Sequence, residues 1–216
     1  MFSYFIILFY ILSIFTLAII FRKFAPHQKE LLRKIIHIGI GPLIPIVQYL
    51  KISQITALVV TGFMSFLILL NYKYKIFPII EDVNRKSYGT FFYCFSLFIL
   101  ILLFWNKDPL SLTTGFLIMT FGDGLAGLIG KNLPSKTWSF FNQKKSLLGT
   151  ITMFTVSSLI LISTSYLGGY AFNLNIINIA ILVTLLEQIS MAGIDNITVP
   201  IFSSLAFHLV ITRIIN

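Results

Sequence analysis

Three acidic residues, Asp123, Glu187 and Asp195, lie in or beside apolar segments that are long enough to cross a membrane. Insertion scales put the cost of a charged side chain at the bilayer centre at about 2.5–3.5 kcal/mol, so such residues mark functional sites by default. If Lys131 marks the polar end of its segment, Asp123 lies only about 12 Å inward at about 1.5 Å per residue. Glu187 lies at a similar distance from the loop at Gly193. All three carboxylates are therefore expected near one face of the membrane.

Glycine is concentrated around the first of these acids. Gly122, Ala126 and Gly130 are spaced by four residues, the ladder of small side chains that lets transmembrane helices pack closely. Packing does not explain Asp123, whose helical neighbours at i+4 and i+7 are Gly127 and Gly130. That face would carry a carboxylate above bare backbone, where a large anionic ligand and its Mg²⁺ can approach.

A basic loop follows this segment. Its charged and small members are Lys131, Lys136, Lys144, Lys145, Ser146 and Gly149. Positive charge beside a carboxylate is what a metal-bound polyphosphate requires. The loop is not a P-loop, because that motif needs Gly at position 125 and Ser or Thr at position 132, where this chain has Leu125 and Asn132.

A second basic group precedes another apolar segment. Arg33 and His37 lie one helical turn apart there, with Lys34 between them. Taken alone, they fit an interfacial anchor as well as a binding site. Asp195 likewise precedes the last apolar segment, where capping of a helix is an alternative role. The other two histidines have no ligand partners at a recognisable spacing, so no zinc site is expected.

The composition determines which elements must position these residues. The chain is 57% hydrophobic and only 11% charged, too apolar for the surface of a soluble domain. It is predicted to be a single all-α domain, residues 1–216, forming a polytopic membrane bundle of about eight helices. The lone Cys94 excludes an internal disulfide. The predicted spans are 2–21, 35–50, 52–70, 90–105, 110–130, 147–168, 176–192 and 197–215.

The basic residues predict the orientation of these spans. Thirteen of the sixteen fall in alternate loops, which should face the cytoplasm. Those thirteen are Arg22, Lys23, Lys29, Arg33, Lys34, Lys73, Lys75, Arg85, Lys86, Lys131, Lys136, Lys144 and Lys145. Such topology signals, with attraction to anionic headgroups, account for the net charge of +9, so no nucleic acid partner is expected. The expected location is the cell membrane of a bacterium or archaeon.

Taken together, the motifs resemble the family of dolichol kinases, phytol kinases and CTP-dependent diacylglycerol kinases. The resemblance runs from about residue 33 to the C-terminus and leaves residues 1–21 as a peripheral first helix. It rests on the order and spacing of five groups. They are Arg33-Lys34 with His37 and Gly39, Arg85 to Thr90, Gly122-Asp123-Gly124 through Gly130, Lys145-Ser146 with Gly149-Thr150, and Glu187 with Asp195-Asn196 and Pro200.

The resemblance implies that Arg33, Lys34, Asp123 and Gly130 occupy positions needed for activity, and that CTP binds from the cytoplasm. We expect Asp123, with Asp195 or Glu187, to hold Mg²⁺ on the triphosphate while Arg33, Lys34 and Lys145 neutralise phosphate oxygens. A lipid alcohol would arrive laterally from the bilayer, and one carboxylate could take its proton. The residues expected to contact the nucleotide are Gly122, Gly124, Gly127, Gly130, Lys131, Lys144, Lys145, Ser146 and Gly149.

Two other functions compete with the kinase. A phosphatidate cytidylyltransferase also uses CTP, Mg²⁺ and an acidic membrane site, but its long Lys-Asp and Gly-His-Gly-Gly type signature is not found in this chain. An ion- or proton-coupled transporter would also carry intramembrane carboxylates. Transporters commonly have paired broken helices in two halves and a site at the midplane, and the sequence shows neither.

Overall fold

The computed structural model describes residues 1–25, 27–74, 88–140 and 143–215, and helices dominate all four ranges. The predicted all-α membrane bundle is confirmed. The helices in these ranges are α1 (Phe2–Phe24), α2 (Lys29–Gly39), α3 (Leu43–Tyr49), α4 (Gln54–Tyr74), α5 (Gly89–Phe104), α6 (Pro109–Leu117), α7 (Gly124–Asn132), α8 (Leu147–Leu167), α9 (Leu174–Ile189) and α10 (Asp195–Ile215). A π-helical turn, Ile118–Asp123, joins α6 to α7. Strands β1 (Thr137–Phe140) and β2 (Gln143–Ser146) pair antiparallel between α7 and α8.

Five helical segments in the described ranges are long and apolar enough to cross a membrane. They are α1, α4, the continuous run Pro109–Asn132, α8, and Asp195–Arg213 of α10. Two more apolar helices, α5 and α9, have 16 residues each. At about 1.5 Å per residue they reach about 24 Å, less than a hydrocarbon core of about 30 Å. Seven of the eight predicted spans thus correspond to single helical runs.

The remaining predicted span, residues 35–50, is wrong as a single helix. It is divided between the end of α2 and the short α3, and residues 40–42 form a turn. A Cβ atom at Gly41 in this turn would lie 2.6 Å from Thr120 Oγ1. The turn therefore packs directly against the π-helical turn, and glycine is what permits that close approach.

The broken pair α2–α3 nevertheless extends along the full run from Pro109 to Asp123. At one end Lys34 Nζ donates to Asp123 Oδ2 at 2.8 Å, and at the other Gln48 Nε2 donates to the carbonyl oxygen of Pro109 at 3.2 Å. The run between those two partners is about 21 Å long at about 1.5 Å per residue. α2 and α3 together therefore cover most of a membrane crossing, antiparallel to that run.

Side-chain contacts hold the two ends of the bundle separately. At the end opposite the carboxylates, Gln54 Nε2 donates to the carbonyl oxygen of Ile101 at 2.9 Å, and His208 Nδ1 lies 2.6 Å from Asp108 Oδ2. Asp108 also caps α6. At the carboxylate end, Asn196 Nδ2 donates to the carbonyl oxygen of Gly89 at 3.1 Å.

Of the thirteen basic residues predicted to face the cytoplasm, Lys75, Arg85 and Lys86 lie outside the described residues.

The core lies between the later helices, and α1 lies at their edge. In α1 only Ile14 and Ala18 are buried. This helix is held to α2 by Tyr10, whose hydroxyl donates to the carbonyl oxygen of Gly39 at 2.7 Å. Fully buried side chains of the core include Leu100, Leu112, Phe116, Met153, Leu161, Val183 and Phe207.

The predicted orientation can be tested with one cysteine at each end of the bundle. In a Cys94→Ser background, Lys136→Cys should resist an impermeant thiol reagent in intact cells and react after permeabilisation. Lys107→Cys should react without permeabilisation, because Lys107 is exposed at the other end. The opposite labelling pattern would place the carboxylate end outside the cell.

Candidate active site

The three carboxylates singled out in the sequence meet in one cluster. Asp123 ends the π-helical turn, Glu187 lies in the last turn of α9, and Asp195 begins α10. One oxygen from each lies within 4.8 Å of the others. π-helical turns are frequent at functional sites, because the wider turn re-aims the side chains that follow it. The sequence predicted that the three carboxylates lie near one face of the membrane. The structure brings them together in a single site.

Asp123 is bound by two side chains of α2. Lys34 Nζ donates to its Oδ2 at 2.8 Å and to its backbone oxygen at 3.1 Å. His37 Nε2 lies 3.4 Å from the same Oδ2 and 3.1 Å from the carbonyl oxygen of Met119. The Tyr93 hydroxyl in turn donates to the carbonyl oxygen of His37 at 3.0 Å. Two members of the basic group that precedes the predicted second span, Lys34 and His37, thus contact the carboxylate cluster.

Glu187 forms a second ion pair, with Lys145 of β2. The Lys145 ammonium contacts Glu187 Oε1 and also donates to the Glu187 backbone oxygen at 2.7 Å. The other carboxylate oxygen, Oε2, accepts from Gln188 Nε2 at 2.6 Å. Only about a tenth of either side chain of the pair is exposed. Of the lysines that line the cavity, Lys34 and Lys145 are therefore each bonded to a carboxylate of the cluster.

Asp195 differs from the other two acids in the partners of its carboxylate. Its Oδ1 accepts from the Asn196 amide at 3.0 Å, and within the described residues its carboxylate makes no ion pair. A helix-capping side chain accepts from an amide two or three residues on, so this contact is not the capping geometry considered from the sequence. Asp195 therefore contributes carboxylate oxygens that no cation of the described chain neutralises directly.

Arg33 is held by an acid that sequence reasoning missed. Its guanidinium donates to Glu30 Oε1 at 2.7 Å, an i,i+3 contact within α2. Burial raises the pKa of the Glu30 carboxyl, but Arg33, with Lys34 and Lys131, lowers that pKa below its ordinary value. The i,i+3 spacing of Glu30 and Arg33 in the sequence could have predicted this ion pair.

A cavity of about 1390 Å³ opens onto the cluster and is lined by residues of α2, α7, the hairpin, α8, α9 and α10. Ligand sites commonly occupy about 300–1,000 Å³, so this cavity has room for a nucleotide and the polar end of a second substrate. All five residues predicted as catalytic line it: Arg33, Lys34, Asp123, Glu187 and Asp195. Seven of the nine predicted nucleotide contacts do so too, namely Gly127, Gly130, Lys131, Lys144, Lys145, Ser146 and Gly149.

The other two predicted contacts, Gly122 and Gly124, do not line the cavity. A Cβ atom at Gly122 would lie 2.9 Å from the Met153 sulfur of α8, and one at Gly124 would collide with the Ile38 side chain of α2. Both glycines therefore allow helices to pack closely, which for Gly122 is the alternative role that the small-residue ladder offered.

The bare backbone face expected beneath Asp123 is also occupied. A Cβ atom at Gly127 would lie 2.8 Å from Lys34 Cε, and one at Gly130 would lie 3.2 Å from the α-carbon of Gly149. Gly127 thus leaves room for the lysine that binds Asp123, and Gly130 lets α7 approach the start of α8. The face beneath Asp123 is thus partly filled by Lys34 and by the start of α8, yet both glycines line the cavity, and their contact with a ligand stays a prediction.

The β-hairpin that presents Lys145 was not predicted. Its register pairs Thr137 with Ser146 and Trp138 with Lys145. Ser146 then ends the hairpin and caps α8, since its hydroxyl oxygen accepts from the Gly149 amide at 3.1 Å. The run 143–146 is too short and too polar for a strand signal, so only the tertiary structure reveals that Lys145 turns inward to Glu187.

The donor set suits a hard divalent cation. Mg²⁺ prefers oxygen ligands at about 2.0–2.1 Å and is commonly bound by one or two carboxylates together with substrate phosphates. Carboxylate oxygens within 4.8 Å of one another reach a shared ion after small side-chain shifts. Asp123 and Glu187 each have a lysine as present partner, while Asp195 does not. Asp123 and Asp195, the predicted metal ligands, are thus compatible with such a site.

The known proteins to which this chain is similar are named as phytol kinases. The chain is 34% identical to a phytol kinase of Synechocystis sp. over 200 residues, which cover 91% of this chain and 86% of that protein. It is 28% identical to a probable chloroplastic phytol kinase of Triticum aestivum, covering 84% of this chain and 68% of that protein. Chloroplastic phytol kinase 1 of Arabidopsis thaliana is 28% identical over 61% of this chain and 48% of its own length. No family model matches the chain, and no solved structure matches it significantly.

Proposed function

This chain belongs to the family of phytol kinases, and from that premise we propose that it is a CTP-dependent kinase of a membrane lipid alcohol, acting at the cytoplasmic face of a cell membrane. The observation that carries the proposal is the meeting of Asp123, Glu187 and Asp195 with two buried lysines in one cavity. Phosphoryl transfer depends mostly on positioning and on neutralisation of phosphate charge. This cavity places carboxylates and lysines within a few ångströms of one another.

The basic residues would bind the triphosphate. Lys34 and Lys145 both line the cavity, one held by Asp123 and the other by Glu187. Arg33 adds a planar guanidinium, the side chain best suited to two phosphate oxygens at once. Because each cation already has an acidic partner, it would be oriented before the nucleotide arrives.

The carboxylates would bind the metal ion and accept the proton of the lipid hydroxyl. Asp123 with Asp195 or Glu187 would hold Mg²⁺, which would supply positive charge to offset that of the phosphate groups. The lipid hydroxyl must lose its proton as it attacks the γ-phosphorus, and a carboxylate of the cluster is within the same cavity to accept it. Asp195, which lacks an ion pair with the described residues, is available for either role.

The lipid would reach the cavity from within the membrane. Apolar residues of two neighbouring helices, Leu31 of α2 and Leu128 of α7, line the same cavity as the charged cluster. Such a wall fits an alcohol that presents a polar end and keeps an apolar tail in the bilayer. Phytol is the first candidate, because the relatives that match over most of their length are named for phytol. Polyprenols and diacylglycerol share the same chemistry.

The position of a radioactive label distinguishes this kinase from a cytidylyltransferase. With γ-labelled CTP and phytol, label should enter the organic phase and CDP should be released. With α-labelled CTP and phosphatidate, no label should enter lipid. Membranes that lack the protein are the control, and competition by unlabelled ATP, GTP and CTP identifies the donor. Label entering lipid only from the α position would overturn the kinase proposal.

A further inference from the structure

The hairpin between α7 and α8 exposes aromatic side chains close to the cavity. Trp138 and Phe140 of β1 are 40% and 41% exposed. They are two residues apart on one strand, so they stand on the same face of the hairpin. Neither lines the cavity, whereas Thr137, Gln143 and Lys145 of the same hairpin do. Because Trp138 pairs with Lys145 and Phe140 with Gln143, the exposed rings share a hairpin face with two side chains that line the cavity.

The position of the hairpin restricts what can cover this surface. It is connected on both sides to segments that cross the membrane, Pro109–Asn132 and α8. The residues that flank it, Leu133 and Leu147, are large, apolar and themselves 52% and 44% exposed. A four-residue strand is only about 13 Å long, so the aromatic side chains stay within that distance of the end of a membrane span.

The charges around the aromatic pair favour a lipid surface. Lys136 and Lys144 are exposed; Lys136 precedes the pair in the chain, and Lys144, which pairs with Ser139, lies on the other face of the hairpin. Tryptophan is enriched at the headgroup level, where its ring is half in the apolar layer, and lysine near that level is attracted to anionic lipid. The described part of the loop between α7 and α8 carries no acidic residue that would oppose this attraction.

We propose that Trp138 and Phe140 insert into the headgroup region of the membrane leaflet beside the cavity and anchor the hairpin there. The depth of the hairpin then determines the depth of Lys145, because Trp138 pairs with Lys145 across the two strands. If the proposed function is right, the anchor keeps the phosphate-binding lysine at the level where the hydroxyl of a lipid alcohol lies. The lipid contact itself does not depend on that function.

Tryptophan fluorescence tests the anchor directly. The chain has two tryptophans, and Trp105 is buried near the opposite end of the bundle, so Trp105→Phe leaves Trp138 as the reporter. In vesicles of phosphatidylcholine and phosphatidylglycerol, lipid brominated near the headgroup should quench Trp138 at least twofold more than lipid brominated near the chain end. Aqueous iodide should quench it weakly. Strong iodide quenching without bromine quenching, or protection from all quenchers, would overturn the proposal.

A second measurement connects the anchor to the enzyme. Trp138→Ser with Phe140→Ser removes two exposed rings and leaves the cavity wall in place. The KM for phytol presented in vesicles should rise at least threefold, while the KM for CTP and the turnover of a short water-soluble alcohol stay unchanged. Trp138→Phe keeps an aromatic ring and should behave as the parent. Should the chain prove to have no kinase activity, the quenching result still decides whether the hairpin contacts lipid.

Discussion

Asp123→Asn is expected to lower kinase turnover by about 10³-fold or more, the range in which single charge-stabilising groups act in phosphoryl transfer. Asparagine keeps nearly the volume of aspartate but removes the charge that binds Lys34 at 2.8 Å and, in the proposed site, Mg²⁺. The measurement is phosphate transfer from γ-labelled CTP to phytol in proteoliposomes, with the variant and the parent at equal protein amount.

The chain provides a matched control for this substitution at the other end of the bundle. Asp108 is also an acid whose side chain is about a tenth exposed, and it also pairs with a basic side chain, His208, at 2.6 Å. Asp108→Asn should therefore cost comparable stability without touching the cavity, and it should retain turnover within a few-fold. If Asp123→Asn retained turnover as well as Asp108→Asn does, Asp123 would not be part of the catalytic site.

The sequence could predict most of the spans because a membrane helix depends on local composition. Length and hydropathy suffice where one continuous apolar run becomes one helix, as in α4 and α8. They failed at residues 35–50, where Gly41 and Pro42 interrupt an otherwise apolar run. Proline disfavours helical backbone in the residue before it, so a signal for the break was present, but average hydropathy does not register it.

The carboxylates were predictable for a different reason. A charge inside an apolar segment is costly wherever it occurs, so Asp123 and Glu187 could be singled out without any knowledge of their neighbours. Their partners depend on long-range contacts, such as that between Lys145 and Glu187, which lie 42 residues apart. The role of the glycines could not be decided from the sequence, because a bare backbone face suits a ligand and a packed helix equally, and the neighbours that approach it come from α2 and α8.

The Lys145–Glu187 pair raises the question of whether it acts in catalysis or only in stability. It joins β2 to α9 with both side chains about nine-tenths buried, so it could simply hold the hairpin to the bundle. Removing one partner of a buried ion pair typically costs about 3–5 kcal/mol, because the other charge stays buried alone, whereas removing both is often nearly neutral. Stability and activity should therefore respond differently to single and double substitution.

Lys145→Met and Glu187→Gln are each expected to lower the thermal unfolding temperature in detergent, and the double variant should recover most of that loss. Turnover should behave otherwise. It should fall by about a hundredfold or more in Lys145→Met, since an anion-stabilising cation is lost, and it should stay low in the double variant despite the regained stability. Lys107→Met, an exposed lysine at the opposite end, controls for loss of charge alone. If the double variant recovered turnover together with stability, the pair would be a structural link, and Arg33 and Lys34 would remain as the phosphate-binding cations.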